Sequence, residues 1–150
     1  MRLREVSDDD LAIFFAHQAD SEASWMAAVA SRAAPEFRAH WARIRADPDV
    51  LIRTIIADGE VAGNVLSFRR DGRREVGYWL GRDYWGKGIA THALSAFVSE
   101  DRERPLYAKV AGDNTASIRV LEKCGFTRLA AYKVDDVRDE EFQELLMILE

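Results

Sequence analysis

Gly86-Lys87-Gly88 stands directly before a run whose apolar residues repeat at helical spacing: Ile89, Ala90, Ala93, Leu94, Phe97 and Val98. A helix that begins there leaves its first backbone N–H groups unpaired and carries partial positive charge at that end. Such an end suits a phosphate or diphosphate. Glycines at 86 and 88 remove the side chains that would hold an anion off those amides, and Lys87 adds a full charge. The bland alternative, a glycine-rich strand-to-helix turn with no ligand, is the commoner reason for Gly-x-Gly alone.

A second anion-binding pattern overlaps the first. Gly81-Arg82-Asp83-Tyr84-Trp85-Gly86-Lys87-Gly88 fits the nucleotide-binding P-loop except at its last position, where a hydroxyl residue should hold Mg²⁺ and Gly88 stands instead. No later strand ends in a metal-binding aspartate. A nucleotide hydrolase is therefore the disfavoured alternative.

Further along, Asp113-Asn114-Thr115-Ala116-Ser117-Ile118-Arg119-Val120-Leu121-Glu122-Lys123-Cys124-Gly125-Phe126 opens a last helix and leads into a strand. Joined to Gly77-Tyr78-Trp79-Leu80 and Trp85-Gly86-Lys87-Gly88-Ile89-Ala90-Thr91, this segment resembles the GNAT acetyltransferases. The resemblance is to the branch of RimJ/RimL-type enzymes that acetylate ribosomal-protein N-termini, and it covers about residues 75–127. It implies an N-acetyltransferase that moves an acetyl group from acetyl-CoA to a primary amine, either a protein N-terminal α-amine or a small-molecule amine. The backbone of Tyr78, Trp79 and Leu80 would pair with the pantetheine arm of coenzyme A. The amides of Trp85, Gly86, Lys87, Gly88, Ile89 and Ala90, with Thr91 beside them, would cradle the diphosphate. Asn114 and Ser117 match positions that face the pantetheine. Arg82, Arg119, Lys123 and Arg128 are candidates for the 3′-phosphate, each with a solvated surface cation as the bland alternative.

A thioester is already activated, so direct attack by a neutral amine needs a base, an oxyanion donor and a proton for the leaving thiolate. The resemblance implies a backbone N–H near Leu80 as the oxyanion donor and Glu75 as a base acting through water; an ordinary strand glutamate paired with arginine is the alternative. Two positions depart from the family. Asp83 replaces a Gln/Arg before the glycines, and Leu121 replaces the tyrosine that many members use as the acid, which leaves Ser117 or water for that role. These departures keep open a catalytically silent acyl-CoA-binding domain.

The elements that must position these residues are legible in the chain. Residues 1–6 read as an edge strand, and Ser7-Asp8-Asp9-Asp10 as a capping box opening a helix with Leu11, Phe14 and Phe15. A helix over 35–46 carries Phe37, Trp41 and Ile44, and Asp47-Pro48 ends it. Strands over 51–57, 60–68 and 74–80 are joined by Asp58-Gly59 and Asp71-Gly72, both hairpin signals. After the helix from Ile89 come a strand (105–111), a helix (115–124, with Gly125 at its end) and a closing hairpin (127–134 and 142–149) around an acidic turn. The order β-α-α-β-β-β-α-β-α-β-β predicts an α/β (α+β) sandwich: a GNAT-like mixed, largely antiparallel sheet with helices on both faces.

The 150 residues suit a single domain, 1–150, and show no repeats or linker. A net charge of −5 disfavours a nucleic-acid partner. The one cysteine, Cys124, forms no internal disulfide and falls beside Val120 and Leu121 as a small core residue. No apolar run reaches signal-peptide or membrane-span length, so a cytoplasmic protein with no membrane partner is expected. His17, His40 and His92 have no metal-ligand spacing, and no metal is expected. Trp25, Trp41, Phe14 and Phe15 read as core, with the acceptor cleft as the alternative. The resemblance leaves a homodimer open.

Overall fold

The computed structural model describes residues 1–20, 22, 31–135 and 141–150, with no side-chain detail at 135, 141 and 142. Seven strands form one sheet: β1 (Arg2–Arg4), β2 (Leu51–Ala57), β3 (Glu60–Arg70), β4 (Arg73–Leu80), β5 (Leu106–Ala111), β6 (Thr127–Asp135) and β7 (Glu141–Leu149). Their spatial order is β1-β2-β3-β4-β5-β7-β6. Every neighbouring pair is antiparallel except β4 and β5. Four α-helices lie among the described residues: α1 (Asp10–Gln18), α2 (Ala34–Ala46), α3 (Ile89–Glu100) and α4 (Thr115–Lys123). A short 3-10 turn, Arg82–Tyr84, joins β4 to α3. This is the predicted element order, and the antiparallel approach to β4 excludes the parallel sheet of a P-loop protein.

The hairpins form as their sequences dictate. Asp58 and Gly59, and again Asp71 and Gly72, take positive φ, the backbone of a primed turn whose twist matches the flanking strands. At the end of α4, Gly125 N–H bonds Glu122 O and Phe126 N–H bonds Leu121 O, the Schellman closure that turns the chain into β6. The α1 start departs from expectation. Ser7 does not cap with its hydroxyl; Asp9 is the N-cap residue, without a side-chain cap bond. Instead the Asp10 carboxylate accepts the Ser7 N–H (2.9 Å), two hydrogen bonds from Arg4 (2.7 and 2.9 Å) and the Thr54 hydroxyl (2.7 Å). Burial alone would raise that carboxyl, but these donors together hold it far below the ordinary carboxylate range.

Two apolar layers sandwich the sheet. Leu94, Phe97, Ile118 and Leu121 of α3 and α4 pack with Ile55, Val65, Val76, Leu106 and Met147 on one face. Phe14, Phe37 and Trp41 of α1 and α2 pack over Ile52 and Leu66 on the other. Trp41, Phe14 and Phe15 are therefore core, while Trp25 and the turn of the last hairpin lie outside the described residues.

Candidate active site

The sheet is held closed at one point and open beside it. β4 pairs with β5 only at Arg74–Leu106 and Glu75–Tyr107, after which β4 continues to Leu80 without a β5 partner. A buried ionic knot pins the closed end. Arg74 binds Asp101 (3.0 Å), the Ser67 hydroxyl (3.1 Å) and the Asp49 carbonyl (2.6 Å), and Ser67 also donates to Asp101. Burial would raise the Asp101 carboxyl, but the donors Ser67, Arg74 and the Glu103 backbone outweigh it and lower it.

Strand geometry decides what lines the open part. Residues of an antiparallel strand turn their N–H and C=O alternately to one neighbour and then the other. Gly81 N–H donates to Ala62 O (2.9 Å), so Gly81 and Trp79 face β3. Tyr78 and Leu80 therefore aim their N–H and C=O into the gap. The Trp85 indole N–H takes the Leu80 carbonyl at 3.1 Å, which leaves the Leu80 N–H as the gap-facing donor there. Of the three residues expected to pair with a ligand arm, two present backbone to the gap and Trp79 does not.

At the gap's mouth, Gly86 and Gly88 both have positive φ, 73° and 77°, and Gly88 is the N-cap residue of α3. A Cβ added to either would meet no protein atom within 4 Å. The first bond of α3 runs from His92 N–H to Gly88 O, so the amides of Ile89, Ala90 and Thr91 precede its ladder. Lys87 is exposed beside them. The glycine-flanked helix start is thus uncovered, with free amides and open space at both glycines.

The candidate catalytic groups lie on opposite faces of β4. Tyr78 points to the α3/α4 face, and its hydroxyl meets Ser117 Oγ at 2.7 Å, tying β4 to the first turn of α4. Burial pushes the Tyr78 phenol up, with the Ser117 bond offsetting part of the effect, so it stays protonated at neutral pH. Asn114 caps α4 by accepting the Ser117 N–H at 3.3 Å, so its carbonyl oxygen is already committed. Leu121, where the family's tyrosine is absent, is buried in the core. The phenol at 78 went unread in the sequence because only its backbone was considered; period-two alternation places its side chain toward α4.

Glu75 sits on the α1/α2 face and is only 5% exposed. Its ion-pair partner is Lys109 of β5 (Nζ to Oε2, 3.8 Å), not an arginine. Around them, the Arg73 guanidinium lies 5.1 Å over the Tyr107 ring, and Tyr132 donates to Glu144 at 2.5 Å. Burial, Glu144 and Glu75 push the Tyr132 phenol up to about 12. Sequence reasoning missed Lys109, Tyr132 and Glu144, because β7 inserts between β5 and β6 and no local spacing announces that neighbourhood.

Arg82 is ion-paired with Asp20 and with Glu22 (2.9 Å), while Arg119, Lys123 and Arg128 are exposed. Cys124 is half-buried and donates to Thr91 O at 3.4 Å, joining α4 to α3. His17 packs on Gly81, where burial lowers its pKa and Asp83 partly restores it. It lines a cavity of about 340 Å³ with Ala16, Asp20, Gly81, Arg82, Asp83 and Tyr84.

A sheet split between parallel neighbours, with an open glycine-flanked helix start at the mouth of the split, has the shape of a site for an elongated, phosphate-bearing ligand. The chain belongs to the GNAT acetyltransferase family: residues 1–127 match the acetyltransferase (GNAT) domain. It is 40% identical over 65 residues to an uncharacterized N-acetyltransferase p20 of Bacillus licheniformis, a match covering 40% of this chain and 36% of that protein. The fold is shared with a ribosomal-protein-alanine N-acetyltransferase from Brucella melitensis (TM-score 0.82, 22% identity, 99% of each chain). It is shared too with a phosphinothricin acetyltransferase from Sinorhizobium meliloti in complex with acetyl-CoA (TM-score 0.86, 19% identity, 99% of this chain and 86% of that one). No described helix is long and apolar enough to cross a membrane.

Proposed function

We propose that this protein acetylates a primary amine, a protein N-terminal α-amine or a small-molecule amine, using acetyl-CoA and direct attack on the thioester. The observation that carries this reading is the gap between β4 and β5, open along Tyr78 and Leu80 and ending at the glycine cradle. Acetyl-CoA fits such a site: its arm would take the free backbone groups of Tyr78 and Leu80, and its diphosphate the amides of 85–91. It would supply an acyl group already activated for transfer. Leu80 N–H is the donor for the developing oxyanion. Glu75 takes the proton of the incoming ammonium on the α1/α2 face. The Tyr78 phenol, held at Ser117 Oγ, supplies a proton on the opposite face. Base and acid on opposite faces of one strand suit a reaction in which the nucleophile arrives on one side and the leaving group departs on the other.

The test has two stages. Acetyl-CoA at about 100 times its dissociation constant should stabilise the fold by about 2.7 kcal/mol, and ATP with Mg²⁺ should not. An amine panel with detection of free thiol should then show turnover. No thermal shift with acetyl-CoA would remove the reading, and a shift without turnover on any amine would leave a silent binding domain.

A further inference from the structure

Lys109 stands on the wall of the gap. Its strand pairs with β4 at Glu75–Tyr107, and continuing that register would set Lys109 opposite Gly77. The strands part there, and a Cβ added to Gly77 would meet nothing within 4 Å, so the α1/α2 face of the sheet beside Glu75 and Lys109 is open at this point. Across it Lys109 reaches Glu75 (Nζ to Oε2, 3.8 Å), with its own side chain 33% exposed and that of Glu75 only 6%. An acceptor ammonium would have to stand close to this place to surrender its proton to Glu75.

We infer that Lys109 is itself an acceptor, and that the protein acetylates Lys109 Nζ within its own chain. The inference rests on the acetyl-CoA reading above. In the transfer, the Lys109 ammonium gives one proton to the Glu75 carboxylate. The freed nitrogen lone pair attacks the thioester carbonyl carbon, forming a C–N bond as the C–S bond breaks. The second proton of the attacking nitrogen leaves through the Tyr78–Ser117 pair, which passes a proton to the departing thiolate and ends as it began. The products are Nε-acetyl-Lys109 and free coenzyme A. Acetylation removes the lysine charge and with it the ion pair to Glu75.

The experiment incubates the whole protein with acetyl-CoA and no added amine, then maps acetyl groups by proteolysis and mass spectrometry. Lys123 and Lys133 serve as internal controls for spontaneous acylation. Lys109 should label roughly 100-fold faster than they do, the scale of one positioned base. Its first-order rate should not change on dilution. Glu75→Gln should bring it down to the control rate with acetyl-CoA binding, read by thermal shift, retained. Coenzyme A in place of acetyl-CoA should leave no label. If the protein binds acetyl-CoA and turns over added amines while Lys109 labels no faster than the controls, the inference is overturned and the function stands. Absence of an acetyl-CoA shift overturns both.

Discussion

At the scale of single residues, the roles proposed for Glu75 and Tyr78 can be separated. Glu75→Gln keeps the shape and removes the proton acceptor. Amine turnover at neutral pH should fall by roughly 10²–10⁴ with acetyl-CoA affinity nearly intact, and the acid limb of the kcat/KM profile should change. A parental profile from acid to alkaline pH would exclude Glu75 as the base. Tyr78→Phe keeps the ring and removes the buried hydroxyl at Ser117 Oγ. A leaving-group acid predicts a lower kcat that is largely rescued with a thioester of a more acidic thiol. Equal loss with both thioesters would assign Tyr78 to packing.

At the scale of elements, the start of α3 has backbone geometry that only glycine takes without strain. Gly88 has φ of 77° and open space where a Cβ would be. Gly88→Ala therefore carries two effects: backbone strain of about 1–2 kcal/mol, and a methyl group in the way of the diphosphate. Gly59 in the first hairpin, with φ of 78° and the same open surroundings, is a matched control. Both alanine variants should lose similar stability in denaturant melts. Only Gly88→Ala should weaken acetyl-CoA, by roughly tenfold, the scale of a helix-terminus interaction. Equal affinities in the two variants would show that the cradle does not hold the cofactor.

At the scale of the molecule, the split sheet depends on its closed end, where Arg74 and Asp101 are 7% and 8% exposed. Removing Asp101 leaves the buried Arg74 with only the half-exposed Asp49 carboxylate at 3.3 Å, so Asp101→Asn should cost about 3 kcal/mol at pH 7. The folded carboxyl titrates below its unfolded value of ~3.9. Its contribution is thus complete above about pH 5 and is lost as pH falls through ~3.9 toward the depressed folded value. Melts at pH 7 and near pH 3 should show the parent and the Asn variant converging in acid. A stability difference that stays constant between the two pH values would contradict the assignment.

The sequence by itself determined the element order, both Asp-Gly hairpins, the glycine-flanked helix start and the family. The first three rest on local spacing, periods of 2 and 3.6 and turn residues that need positive φ, while the family rests on a resemblance carried by the blocks 77–91 and 113–126. It also placed Glu75 and Ser117, but as isolated candidates. Only the tertiary structure decided that Lys109 reaches Glu75, that the Tyr78 hydroxyl completes Ser117, and that Trp79 turns its backbone away from the gap. It also gave Arg82 to Asp20 and Glu22 and the Asn114 oxygen to a helix cap. The physical reason is that a strand's side-chain direction and its hydrogen-bonding direction are fixed only when its neighbours are. β4 gains those neighbours from β3 and β5, and the β7 insertion beside β5 brings together residues that no spacing along the chain relates.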